Sequence, residues 1–429
     1  MTIDLTLKNC KLWYHRQLVD YGLAIDEGKI SSITKDSRLP TSDEKIDCKG
    51  NIVLPGLIDV HVHFREPGYE WKEDWSTGSR AAAKGGITYV MEMPNTNPPT
   101  TTVERLKNKM ELAKKKSVVN FGLYAGIGKD NITQIEELAK WVCGFKIYMA
   151  ESTGDLKLTD YDLLEKAFSE VAKTGKVLCV HAEDQEIIEE NKGKYQVNEP
   201  ITHAYARPPE AEEKAIKKAI ELAEKTRVKL HVCHLSSWKG LYQIEEAKTR
   251  GLDVTCETCP HYLYLTTEDM KRLGNLAKMN SPLRTKLDQD VLWKGIGNGT
   301  VNIYGSDHAP HLLKEKESDT PPSGVPGVET GLQLMLDAVD KGRIEFGTLL
   351  NMMYERPVSR FDLGNYGRIE KENNANLTII DLNKEWEITR DELVTKCDWS
   401  PYEGWKGKGM PVMTIINGKI LPQRNIRLT

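Results

Sequence analysis

No apolar run in this 429-residue chain approaches the roughly 20 residues needed to span a bilayer as a helix. The amino terminus, Met1-Thr2-Ile3-Asp4-Leu5-Thr6, lacks the basic segment and long apolar core of a secretory signal. Cysteine is scarce, with eight in the whole chain, too few and too scattered for a disulfide framework. Cys143, Cys179 and Cys233 sit in apolar runs and read as small core residues. Cys256 and Cys259 form a lone C-x-x-C without the second pair a structural zinc site needs. A reducing cytoplasm is therefore the expected compartment. Excess charge of one sign is also absent: the net charge is −4, which gives no reason to expect nucleic acid or a membrane surface as partner. An anionic substrate would have to be attracted by local groups.

What is present is a slow alternation of apolar runs with amphipathic stretches. The runs are 57–64, 87–93, 118–127, 143–149, 176–182, 229–235, 252–259 and 301–306. Helix-like segments such as Glu104 to Lys115, Asp160 to Lys173 and Glu210 to Lys225 lie between them. Eight such units predict an α/β fold, a (β/α)8 barrel over 55–364, with catalytic groups at the carboxyl ends of the strands. The flanks, 1–54 and 365–429, contain short alternating strands such as Leu5 to Leu12, Gly28 to Ile33, Leu377 to Ile380 and Thr414 to Ile420. Neither flank is large enough for its own core, so the two are expected to join in one small β-sandwich. The segment His311 to Gly327 is polar and rich in Pro and Gly, and reads as a long loop and candidate lid.

Ionisable residues fall at the ends of the runs. His61, His63 and Arg65 alternate along the first, so a regular strand would point all three to one face. Two imidazoles make half of a metal site, and a guanidinium can grip a carboxylate with two hydrogen bonds. A hydrogen-bonded pair of core histidines is the plainer alternative. His181 ends the fifth run. His231 and His234 share the sixth, and their odd spacing puts only one toward the barrel interior. His234, nearer the carboxyl end, is the better ligand, and His231 the better structural residue. Asp307 ends the eighth run, where a carboxylate can bind metal or move a proton, or merely cap a helix. Lys146 lies inside the apolar Gly144-Phe145-Lys146-Ile147-Tyr148-Met149. A buried ammonium there needs a carboxylate partner, or conversion to a carbamate that would bridge two metals.

Three longer segments carry a resemblance. They are His61-Val62-His63-Phe64-Arg65-Glu66-Pro67-Gly68, Met93-Pro94-Asn95-Thr96-Asn97-Pro98-Pro99-Thr100 and Ser306-Asp307-His308-Ala309-Pro310-His311. Together with Asp74 to Gly86 and the late Pro401-Tyr402-Glu403-Gly404-Trp405, they resemble the dihydroorotases of the amidohydrolase superfamily over nearly the whole chain. The resemblance implies a metal-dependent hydrolase barrel with two zinc ions. It implies His61 and His63 as ligands of the more buried ion, and His181 and His234 as ligands of the more exposed one. Lys146 would be the carboxylated bridge, and Asp307 the ligand that is also the catalytic acid and base. Arg65, Asn95 and His311 would bind the substrate carboxylate. The implied reaction is the reversible cyclisation of N-carbamoyl-L-aspartate to L-dihydroorotate plus water in pyrimidine biosynthesis, with attack by a metal-activated hydroxide in the hydrolytic direction. Allantoinases and hydantoinases or dihydropyrimidinases share much of this pattern, and a non-catalytic scaffold is a remote alternative. Homo-oligomerisation is left open by the sequence.

Overall fold

The computed structural model describes residues 2–152, 156–195 and 200–421. Its centre is an eight-stranded parallel sheet, with each strand hydrogen-bonded to the next in chain order. The strands are β1 (Leu57–Val62), β2 (Ile87–Glu92), β3 (Asn120–Gly126), β4 (Gly144–Tyr148), β5 (Val177–His181), β6 (Lys229–Val232), β7 (Val254–Thr258) and β8 (Ile303–Tyr304). Each falls within one of the eight apolar runs. Most are almost entirely buried because both faces are covered: helices pack outside, and other strands' side chains pack inside.

The intervening helices match the amphipathic stretches and have legible ends. Tyr161–Thr174 starts where the Asp160 side chain accepts from the Leu163 amide, and stops at Gly175 with φ 69°. Val103–Lys116 is capped by Thr102 and ends in three lysines, which suit the negative end of the helix dipole. Pro209–Thr226 begins with proline at its first turn. Their buried faces and the outward faces of the strands form the main core, through residues such as Leu106, Phe168, Ile216 and Leu230. A smaller cluster containing Ile58, Val60, Met91, Tyr124, Cys179 and Phe361 is separate from that core.

The seam between β8 and β1 is built differently from the rest. β8 has only two residues, and its ladder runs to β7. The link to β1 comes from beyond its end: the His63 amide donates to His308 O at 2.8 Å, and the Ser306 amide donates to the Asp59 carboxylate at 3.0 Å. Asp307 sits inside this seam.

The flanks form two further sheets. One contains four strands, all from Ile3 to Asp47. The other has six and mixes the two ends of the chain: Lys11–Tyr14, Gln17–Val19 and Ile52–Pro55 with Leu377–Glu387, Lys406–Ile416 and Lys419–Leu421. Leu5, Leu7, Leu23 and Ile25 pack with Val53, Leu377, Ile379 and Ile415 to give the sandwich core. The stretch Leu5 to Leu12 is not one strand. It breaks at Asn9, with φ 52°, and its halves enter different sheets. Near the carboxyl end, Asn417-Gly418 forms a tight hairpin turn with both residues at positive φ.

Candidate active site

A cavity of about 410 Å³ opens at the carboxyl ends of the barrel strands. Its lining includes His61, His63, Arg65, Asn95, Lys146, His181, His234 and Asp307. The structure thus brings together every residue expected of the site except His311.

Three of these residues have left-handed backbones: Arg65 at φ 64°, His234 at φ 35° and Asp307 at φ 45°. Such a conformation is costly for a residue with a side chain, by about 1–3 kcal/mol each, and clusters where function requires a particular direction. Each follows the end of a barrel strand. His234 explains a correction to the sequence reading. The register sets His231 beside Cys179 and Cys179 beside Lys146, so His231 lies on the same side of the sheet as Lys146. His234 also reaches that side because β6 ends at Val232 and the left-handed turn breaks the alternation. The expectation that only one of the two faces inward therefore fails. Their roles still differ, since His231 is fully buried outside the cavity lining.

His61 and His63 both aim Nε2 at one Asp307 oxygen, at 3.3 and 3.2 Å. Their other nitrogens are occupied. His61 Nδ1 donates to Glu257, and His63 Nδ1 donates to Asn95 Oδ1 at 2.7 Å. On the opposite side, His181 Nδ1 lies 3.0 Å from His234 Nε2, while His181 Nε2 donates to Glu183 at 2.9 Å. Glu183 is held in turn by Arg207. Two imidazole nitrogens so close either share a proton or face a common cation; tetrahedral zinc ligands stand about 3.3 Å apart. Lys146 Nζ is buried and has no hydrogen-bond partner among the described residues; it lies 5.1 Å from the centre of the Tyr148 ring. His234 Nδ1 is buried without one as well. The side chains of His61, His63 and Asp307 offer ligand atoms within 4.8 Å of one another. This donor set, with its outer nitrogens fixed by carboxylate and amide groups, fits divalent metal.

The electrostatics agree. Burial works against a charge on His61, but the carboxylates of Glu257 and Asp307 outweigh it and raise its pKa to about 10. Burial would by itself raise Asp307, yet the imidazoles of His61, His63 and His234 hold its carboxyl well below the usual range. Burial pushes His63 down to about 3 and lowers His181 and His234 as well, so these three rings are neutral, the form in which imidazole binds a metal.

Arg65 lies 3% exposed on the cavity wall, its Nε donating to Pro310 O at 3.2 Å. Among the described residues no carboxylate lies within ion-pair distance of it. His311 is fully buried behind it, with Nε2 3.1 Å from Arg65 Nη2 and 3.1 Å from Ser323 O. Lys72 Nζ approaches His311 Nδ1 at 3.0 Å. Lysine and arginine can only donate and a neutral imidazole has one acceptor nitrogen, so His311 accepts from Lys72 or from Arg65 and not from both. Burial and the charges of Arg65, Lys72 and Lys316 hold His311 well below its ordinary pKa, which keeps the ring neutral.

Glu257 and Glu183 were missed by the sequence reading. Glu257 has the same signal as Lys146, an ionisable side chain inside an apolar strand, Val254-Thr255-Cys256-Glu257-Thr258. Asn280, Ser323 and Gly324 complete the cavity from loops that carry no comparable signal.

The chain belongs to the amidohydrolase family, which it matches over residues 52–421, and is a metal-dependent amidohydrolase. Among its curated relatives is the dihydroorotase of Methanosarcina mazei, 40% identical over 97% of this chain and 94% of that protein. Another is the dihydroorotase of Methanothermobacter thermautotrophicus, 38% identical over 97% of this chain and 93% of that one. Among solved structures, the L-hydantoinase (dihydropyrimidinase) of Arthrobacter aurescens superposes with a TM-score of 0.94 at 30% identity, covering 100% of this chain and 98% of that chain.

Proposed function

We propose that this protein is a dihydroorotase, closing N-carbamoyl-L-aspartate to L-dihydroorotate plus water, and reversing that reaction, in pyrimidine biosynthesis. The observation that carries the choice within the family is Arg65, a buried guanidinium on the cavity wall without a carboxylate partner among the described residues. Leaving such a charge unpaired is costly, and a substrate carboxylate would pair it. Simple hydantoins lack that carboxylate. The archaeal dihydroorotases, more similar in sequence than the hydantoinase, support the same choice.

In this reading His61 and His63 hold the more buried of two zinc ions, and His181 and His234 the more exposed one. A carboxylated Lys146 would help to hold both, and Asp307 would be the remaining ligand. Zinc supplies an acidified water as nucleophile and an electrophile for the ring carbonyl. Asp307 takes the proton from the nucleophile and delivers it to the leaving nitrogen. Arg65, with Asn95 beside it and His311 behind it, receives the substrate carboxylate and orients the ring. The catalytic unit is 55–364, and the flanks, of which 2–54 and 365–421 are described, form the accompanying sandwich. The substrate is a small molecule, without nucleic acid or membrane. Eight free cysteines, seven of them buried, suit a cytoplasmic enzyme, and self-association into a homo-oligomer is open to sedimentation.

The hydantoinase reading is favoured by one observation, the superposition on the Arthrobacter aurescens enzyme. One experiment separates them: purified protein assayed against dihydroorotate, hydantoin and allantoin, with metal content measured on the same sample. Turnover of dihydroorotate at least tenfold above the others is expected. A preference for hydantoin or allantoin would overturn the assignment.

A further inference from the structure

Six side chains are assigned above as metal ligands, and they come from β1 and the residue that follows it, β4, β5, the segment after β6 and the segment after β8. β7 contributes none of them. It contributes Glu257, whose side chain is fully buried. One Glu257 oxygen, Oε1, accepts from His61 Nδ1 and from the His234 backbone amide, the latter at 3.1 Å. The other, Oε2, accepts from His231 Nε2 at 2.9 Å. His231 is fixed from its far side, where Nδ1 lies 2.9 Å from the Thr255 hydroxyl. A single carboxylate therefore collects three N–H donors from two strands on opposite sides of the metal centre.

His61 belongs to the more buried cation position and His234 to the more exposed one. By accepting from Nδ1, Glu257 keeps the His61 proton there and leaves Nε2 free to face the centre. By accepting from the His234 amide, it holds the left-handed residue whose φ of 35° places that imidazole. Gly305 makes room for this group: a β-carbon there would lie 3.0 Å from the Glu257 carboxyl carbon. Glu183 offers a contrast within the same site, since among the ligands it touches only His181.

We infer that Glu257 is a positioning residue that couples the two cation positions, so that both weaken together when its carboxylate is removed. This rests on the two-cation reading above. Glu183, by contrast, supports the more exposed position alone.

The test is equilibrium dialysis of the full chain against graded zinc, with ions per chain counted, and the absorption spectrum of the cobalt-loaded protein as a second readout. Glu257→Met should weaken both ions over the same zinc range, by about 10–100-fold, the usual effect of losing a group that orients a ligand. Glu183→Met should weaken one ion and spare the other. If the parent binds two ions and Glu257→Met loses only one or neither, the coupling is wrong while the two-cation reading stands. A parent that binds only one ion overturns that reading, and the coupling with it. Melting curves will report whether Glu257→Met folds. If it does not, Glu257→Gln decides. Glutamine keeps one acceptor for His61 and His234, and His231 can reverse its tautomer because the Thr255 hydroxyl accepts as well as donates. Adding Thr255→Val removes that escape. The double variant should then bind both ions at least tenfold more weakly than Glu257→Gln, while Thr255→Val alone matches the parent. Equal binding by the double and single glutamine variants overturns the inference.

Discussion

Lys146 Nζ sits where a barrel core would otherwise be apolar, without a hydrogen bond to satisfy it among the described residues. In the proposed reading carboxylation would turn that liability into a bridging anion, so Lys146→Ala should lose activity and one bound metal, with partial recovery when short-chain carboxylic acids are added. A high-resolution density map of metal-loaded protein should show the carbamate; a bare amine there would refute it. Arg65 presents the complementary case of a charge awaiting a partner. Arg65→Met should reduce kcat/KM for dihydroorotate by an amount equivalent to about 2–5 kcal/mol, with metal content unchanged. Asp307 is read from two directions. Hydrolysis needs its carboxylate ionised and should rise with pH, whereas ring closure needs it protonated and should fall. Asp307→Asn should abolish both, because an amide cannot carry the proton. Closure within tenfold of the parent, a barrier change of only about 1.4 kcal/mol, would reduce Asp307 to a ligand.

At the scale of elements, the barrel strands position the chemistry by ending at the right places. The periodicity of the sequence gives the strands and helices, but regular alternation stops where His234 and Asp307 adopt left-handed backbones. That is why the inward direction of His231 and His234 was not legible: a two-residue period applies only while the strand lasts. The loop expected over 311–327 is present, with one helical turn at Leu313–Lys316, and it is tied down. Fully buried Lys316 donates to Lys278 O at 2.8 Å and to Pro322 O and Gly324 O at 3.0 Å each. Three carbonyls match the three protons of an ammonium. These bonds join the two loops that supply Asn280, Ser323 and Gly324 to the cavity. Lys316→Met should speed hydrogen exchange through 312–325, at a cost of about 1–3 kcal/mol for each carbonyl left unpaired. A non-reacting substrate analogue should slow exchange there in the parent. Unchanged exchange in both experiments would mark the segment as a static surface loop.

At the scale of the whole molecule, two buried histidines that are not metal ligands should make acid destabilising. Burial, with His61 nearby, pushes His261 down to about 4. Burial, with the charges of Arg207 and Lys278, pushes His203 down to about 3. Each ring is neutral when folded, while the unfolded chain takes up a proton near pH 6.5. The unfolded state then binds more protons, so stability falls as pH drops from about 6.5 toward the folded values, by up to about 1.4 kcal/mol per pH unit for each ring. Urea midpoints at pH 7.5 and 5.5 will show this, and His261→Phe should flatten the slope. An unchanged slope in that variant would exclude His261 as a source.

The sequence by itself determined the eight apolar runs, the amphipathic helices between them and the ionisable residues at the strand ends. Those are local patterns, written in residue type and spacing. Only the tertiary structure decided which nitrogen of each histidine faces the centre. Glu257, Asn95 and Glu183 fix that choice from 196, 32 and 2 residues away along the chain, and closure of the barrel brings the most distant of them into contact. Likewise the resemblance implies His311 as a group that binds the substrate carboxylate, and only the fold sets it behind Arg65, in contact with Arg65, Lys72 and Ser323. A hydrogen bond of this kind is a property of two elements meeting, and neither element's sequence contains it alone.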